Sequence, residues 1–354
     1  MLSTTPGAYA GFLGRFAETA RLSSDFAMES GAFVIPDFTI EQLAEDAAEI
    51  ARGFTLRTPT SAVSEALGVH DRVLAAMTRT RRPAQQTSLL LLAGQTAALL
   101  ASAGIDLGLW DAARRYARAA YGYGDMIGHA GVLSYARGMQ ATIAYWTGRP
   151  ADAVGYALAA VDLAPVGVAS VRAHCILARA WAHSGNPDRV GQALRDADAA
   201  RHVQGSDDLH DVIGGEFGFT VPQQARCAST AWLQVDLPLK ARGAAETALH
   251  AVEQSDACST ALEAEVRLDL ASCQILTRQP GEESETVSRT YETLRPVWDM
   301  PVEQRRTGLF GRLDRLTALL SAPSLQRLTE AQQLQQLAQG FSAGRPSMPA
   351  LPPA

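Results

Sequence analysis

One spacing restricts this chain more than any other feature. Gly108, Gly148 and Gly185 each close an apolar helical stretch, and each is followed twelve positions later by an alanine: Ala120, Ala160 and Ala197. Glycine supplies the positive φ that ends a helix, and a small residue at fixed depth in the next helix lets the pair approach closely. Pro150 and Pro187 stand two residues past their glycines, where the first turn of a helix has no use for the missing N–H. A fourth copy reads Asp236, Pro238 and Ala248, with aspartate in the glycine's place, and a weaker fifth reads Arg278, Pro280 and Thr290. Such punctuation describes a row of helix hairpins.

Each first helix carries an apolar stripe at three- and four-residue steps. One stripe is Val132, Ala136, Met139, Ile143 and Trp146, and the next is Val171, Cys175, Ala178 and Ala182. A lone hairpin cannot bury both faces, so neighbours must stack, with the first helices lining the inside of a curved surface. The expected fold is all-α: a right-handed superhelical solenoid of tetratricopeptide-like hairpins. Its intervals of about 40, 37, 51 and 42 residues exceed the roughly 34 of a tetratricopeptide unit. The longest is attributed to an ordered, non-periodic loop over 204–221, QGSDDLHDVIGGEFGFTV. Two helices over 39–54 and 60–79 are expected to cap the array. The domain reading is an N-terminal segment over 1–38, partly ordered; repeats over 39–338; and a disordered, proline-rich tail over 339–354.

Apolar residues make up 47% of the chain and aromatics only 6%, the alanine-rich balance of close-packed helices. A net charge of -6 argues against direct nucleic-acid binding, which needs a clustered positive surface. Cys175, Cys227, Cys258 and Cys273 show no metal or disulfide spacing. The start lacks a secretory pattern. The apolar run Leu89–Leu100 is shorter than a membrane span and reads as a buried helix. A cytoplasmic protein with no membrane contact is expected.

Several segments go further than the repeat rule: RPAQQTSLLLLAG (82–94), IGHAGVLSYARGMQATIAYWTGRPADA (127–153), GGEFGF (214–219) and MPVEQRRTG (300–308). From about Thr39 to Leu320 the chain resembles the C-terminal sensor region of Xre-class helix-turn-helix regulators of high-GC Gram-positive bacteria. The resemblance implies a tetratricopeptide-like sensor that forms a homodimer, answers to a small molecule or peptide, and passes its state to a DNA-binding module. The segment before Thr39 lacks the pattern of short helix, glycine turn and polar recognition helix, so a helix-turn-helix regulator enters as a possible separate partner. The stretch SAVSEALGVHDRVLAAM (61–77) mimics helix, turn and helix, but its second half is too apolar to read base edges.

No catalytic motif of phosphate-binding, zinc-protease, esterase or dinucleotide type is present, and neither enzymatic activity nor a cofactor is expected. His202, Asp207, Asp208, His210 and Asp211 carry metal-ligating atoms, yet Asp and Gly together are ordinary turn chemistry. The candidate ligand or partner residues are polar or aromatic. Trp146 sits near the end of a first helix, where tryptophan is more often a packing residue. Arg172, Arg179 and His183 share one helix face, and Arg137 and Gln140 a comparable face one unit earlier. Each set is either concave lining or solvated surface. In GGEFGF, Phe217 and Phe219 should plug inward, and the loop is expected to fold over the concave surface with Glu216 facing a ligand or an arginine. The competing reading is a structural clasp between repeats.

Overall fold

The computed structural model describes residues 6–254 and 259–343, and among these it is helical without a strand. Three helices lead: α1 (Pro6–Ala32), α2 (Asp37–Gly53) and α3 (Pro59–Met77). Six hairpins follow. Their first helices are α4 (Pro83–Asp106), α6 (Ala130–Trp146), α8 (Val168–His183), α10 (Val221–Gln234), α12 (Thr260–Leu276) and α14 (Thr307–Leu320). Their second helices are α5 (Trp110–Ile127), α7 (Pro150–Leu163), α9 (Pro187–Arg201), α11 (Pro238–Glu253), α13 (Glu283–Trp298) and α15 (Thr329–Ala343).

The turns are built as their spacing requires. Gly108, Gly148, Gly185 and Asp236 all take positive φ, at 73, 72, 69 and 56°. In each, the following amide donates to a carbonyl five residues back: Leu109 to Gly104, Arg149 to Ala144, Asn186 to Trp181 and Leu237 to Trp232. This bond satisfies carbonyls that a helix end leaves open. Pro150, Pro187 and Pro238 open α7, α9 and α11, and Ala120, Ala160, Ala197 and Ala248 are fully buried. The fifth copy departs from expectation: the positive φ falls on Gly281 rather than Arg278, and α13 starts at Glu283, past Pro280. Thr290 is nevertheless fully buried, so the depth rule holds where the turn rule slips.

First helices pack on one another in succession, α4 on α6, α6 on α8, α8 on α10, α10 on α12 and α12 on α14, with the second helices paired onto them. α2 and α3 pack against α4, covering the first hairpin. α4 is long and apolar enough to cross a membrane, but most of its residues from Leu89 to Gly104 are buried inside the protein. The stretch 61–77 lies within the continuous helix α3, with no turn at Gly68. The proline-rich tail lies outside the described residues beyond Ala343, and Cys258 is likewise outside them.

The inserted loop is ordered, but its centre is a short π-helical turn, Asp208–Ile213, where the sequence gives no helical period. Asp207 holds that turn, its Oδ1 accepting from the amides of Leu209 and His210, both at 2.8 Å.

Candidate functional site

The sixth residue of α6, α10, α12 and α14 is respectively Tyr135, Arg226, Glu265 and Arg312. Equivalent depth on stacked helices brings these side chains toward one interior, and charge there is resolved by pairing. Arg226 Nη1 lies 2.7 Å from Glu265 Oε2. Arg312 lies 3.6 Å from Glu265 and, through Nε, 3.1 Å from Asp269. Thr230 closes a triangle, donating to Asp269 Oδ2 at 2.7 Å and accepting from Arg312 Nη2 at 2.9 Å. Burial alone would raise the Glu265 carboxyl, but Arg312 and Arg226 outweigh it and hold it down at about 2. Both arginines are in turn raised above the ordinary guanidinium range: burial opposes the charge, and the facing carboxylates win. Charges this deep persist only when paired and hydrogen-bonded.

Beside this network lies a cavity of about 830 Å³, lined among others by Asp106, Arg172, Glu216, Arg226, Glu265 and Arg306. Its walls come from both ends of the chain. Arg306 pairs with Asp106 at 2.8 Å and donates to the Thr55 carbonyl at 3.3 Å. Another wall is the loop 214–219, whose Glu216 amide donates to the Ala51 carbonyl at the end of α2 at 2.8 Å. That approach requires Gly215, which has φ 59° and whose backbone crosses Ala51 and Arg52 where a Cβ would overlap them. Burial, with Glu216 and Glu265 nearby, pushes the Asp106 carboxyl up to about 7 against the pull of Arg306.

Tyr135 organises the upper wall. It is fully buried, its hydroxyl lies 3.0 Å from Ser102 Oγ, and it donates to Glu216 Oε1 at 3.2 Å. Phe217 meets its ring edge to face at 5.1 Å, and the Arg172 guanidinium lies over the ring, Cζ 3.8 Å from the centroid. Gly138 in α6 makes room, since a Cβ there would stand 3.0 Å from Arg172 Nη1 and 2.8 Å from Ile176 Cδ1. This explains a glycine in a helix interior, where it costs about 1 kcal/mol relative to alanine.

The predicted residues divide into three groups. Arg172, Glu216 and Phe219 line the cavity, with Phe217 buried directly behind Glu216. Arg179, His183 and Trp146 face the interior further along the first helices. Arg179 lies over Tyr145 at 4.9 Å, and His183 stacks on Tyr145 at 4.6 Å. Burial, then Arg179 and Arg315, lowers the His183 imidazole to about 4. Trp146 stacks on Trp110 at 6.2 Å and sits against Gly311 of α14, so it fills space between hairpins. Arg137 and Gln140 belong elsewhere, turned toward the second helices. Arg137 lies over the Tyr121 ring at 3.9 Å and bonds Gln140 at 2.9 Å, and Gln140 reaches the Ala117 carbonyl.

Within the loop's acidic cluster, Asp207, His210 and Asp211 are committed to structure, with His210 Nδ1 3.0 Å from Asp207 and Asp211 accepting from the Asp207 amide. Among the described residues no three His, Cys, Asp or Glu side chains form a metal-binding group. Sequence reading missed Asp106, Arg226, Glu265, Asp269, Arg306 and Arg312. A signal existed for three of them, because aligning the first helices puts Arg226, Glu265 and Arg312 at one depth. Asp106 and Arg306 carried none.

Compared with known protein families and with curated proteins, the chain matches none.

Proposed function

We propose that this chain is a cytoplasmic regulatory sensor: a right-handed, tetratricopeptide-like repeat array that binds a small molecule or short peptide inside its curve and acts through a protein partner. The supporting observation is the cavity of about 830 Å³, within the range of roughly 300–1,000 Å³ that small-ligand sites occupy. Its walls join α2, α4, α8, the inserted loop, α10, α12 and the segment before α14, so a ligand there touches elements distant in sequence and biases how they sit together. Differential contact of this kind lets a binding event shift a conformational balance.

The regulatory role rests on the resemblance to Xre-class sensors, and a second copy of the chain or a helix-turn-helix regulator is the partner it favours. Exposed Leu22, Phe26 and Met28 on α1, with Val34 and Phe38 after it, offer apolar surface for such a contact. Cys175, Cys227 and Cys273 are buried and form no disulfide among the described residues, an arrangement compatible with a reducing compartment.

Thermal unfolding with and without a dialysable cell extract tests the reading. A ligand at about a hundred times its Kd stabilises the fold by roughly 2.7 kcal/mol, and an unchanged melting temperature across extract fractions counts against it. A pulldown with and without the same extract then reports whether partner choice depends on the ligand.

A further inference from the structure

Most charged side chains of the cavity wall are neutralised within the protein: Arg226 by Glu265, Arg306 by Asp106, and Arg52 by Glu45 at the rim. Asp211 is exposed and accepts from the Asp207 amide. Two remain. Arg172 and Glu216 are both on the wall, and among the described residues neither has an ion-pair partner.

Both are held against the same rigid group. The Arg172 guanidinium lies on the Tyr135 face, and its one hydrogen-bond acceptor is the weak Met139 thioether, 3.6 Å from Nη2. Most of its donors are therefore unspent. Glu216 takes the Tyr135 hydroxyl on Oε1, while among the described residues Oε2 accepts no hydrogen bond. Tyr135 cannot yield, being fully buried, bonded to Ser102 and backed by Phe217. The Gly215 crossing at Ala51 fixes Glu216 from the other side. A positive and a negative charge are thus held, unpaired with each other, on the face and at the hydroxyl edge of one ring.

We infer that the cavity takes a small zwitterion, a molecule bearing a carboxylate for Arg172 and a protonated amine for Glu216, as a free amino acid or a short peptide with unblocked ends does. This deepens the sensor reading above and rests on it. A simple anion would satisfy Arg172 but set a second negative charge beside Glu216, and a simple cation would do the converse. Either leaves a desolvated charge without a partner, which is the costlier outcome. A carboxylate also suits the planar fork of arginine. The volume admits more than a single amino acid, so free amino acids and di- or tripeptides are separate arms of the test.

The experiment is calorimetric titration of the full chain with a panel of amino acids, dipeptides and tripeptides. The best binder is then repeated as its N-acetyl and its C-amide forms. Each block is expected to weaken binding roughly ten- to a hundredfold, the size of a hydrogen bond to a charged group. Arg172→Gln should weaken the free ligand similarly yet leave the C-amide nearly unchanged. Glu216→Gln should do the same with respect to the N-acetyl form, and Arg172→Lys should retain part of the affinity. Blocked ligands that bind as well as free ones overturn the inference, as does a panel without a binder. The blocked-ligand arm decides the matter even where a variant fails to fold. Native mass spectrometry after incubation with a dialysable extract separates this failure from that of the sensor reading. A retained compound lacking either charge overturns the zwitterion alone, whereas no retained compound and no binder overturns both.

Discussion

Arg306 Nη1 stands 2.8 Å from Asp106 Oδ2, binding the residue that enters α14 to the last residue of α4 with four whole hairpins between them. Thr307 Oγ1 adds a bond to the Asp106 carbonyl at 3.0 Å. The array is therefore clasped: its first and last hairpins are fastened at the cavity wall.

Removing Arg306 should open that clasp. Arg306→Gln removes the cation that draws the Asp106 carboxyl down, and above pH 7, where that carboxyl is ionised, we expect a loss of about 1–3 kcal/mol in urea unfolding, discounted for partial exposure. The double variant with Asp106→Asn should lose less than the sum of the two single changes. Strict additivity would show that the pair does not couple.

Asp106 also gives the clasp a pH dependence of definite sign. Its carboxyl is raised from 3.8 to about 7, so the folded state binds this proton more tightly than the unfolded chain does. The associated stability is complete below about pH 4 and declines as pH rises through 7. Asp106→Asn should therefore lose less stability than the parent between pH 4 and pH 7, measured by denaturant midpoint. Parallel curves would contradict the shift.

His183 has the opposite sign. Its imidazole is lowered from 6.5 to about 4 by burial and then by Arg179 and Arg315. The unfolded chain thus binds that proton first, and stability present above pH 6.5 is lost as pH falls toward 4. His183→Gln should remove this part of the acid sensitivity, read as a shrinking gap between variant and parent as the pH is lowered. A constant gap would leave histidine out of it.

Gly215→Ala tests the loop's anchorage. The new Cβ meets backbone at Ala51 and Arg52 rather than a flexible side chain, and φ 59° is itself unfavourable for alanine. We expect a loss of about 2–3 kcal/mol, with hydrogen exchange rising across 205–220. Unaltered exchange would mean the crossing does not hold the loop.

Asp236 tests the repeat rule. It is the non-glycine residue at positive φ among those described, standing where three other hairpins have glycine, so Asp236→Gly should stabilise by roughly 0.5–1 kcal/mol. Thermal unfolding reports it, and a clear loss would mean that the aspartate side chain supports the turn.

The turns were legible in the chain because their cause is local: positive φ at Gly108, Gly148 and Gly185, and a fully buried small residue at Ala120, Ala160 and Ala197. Arg172 was legible by residue type and helix face, and Glu216 and Phe219 by their place in the glycine-rich loop, and the three do line one cavity. Arg137 and Gln140 were not separable from them. The face a first helix turns inward depends on how it sits between its neighbours, and both candidate faces are polar.

By itself the sequence determined the units, since a helix stop, a proline start and a buried alanine act within a few residues and repeat with a visible period. Only the tertiary structure decided what the units enclose. Whether Arg306 reaches Asp106, or the Glu216 amide reaches Ala51, depends on small angles between hairpins added along the whole row. Contacts of that origin recur at no interval, so no spacing in the chain announces them.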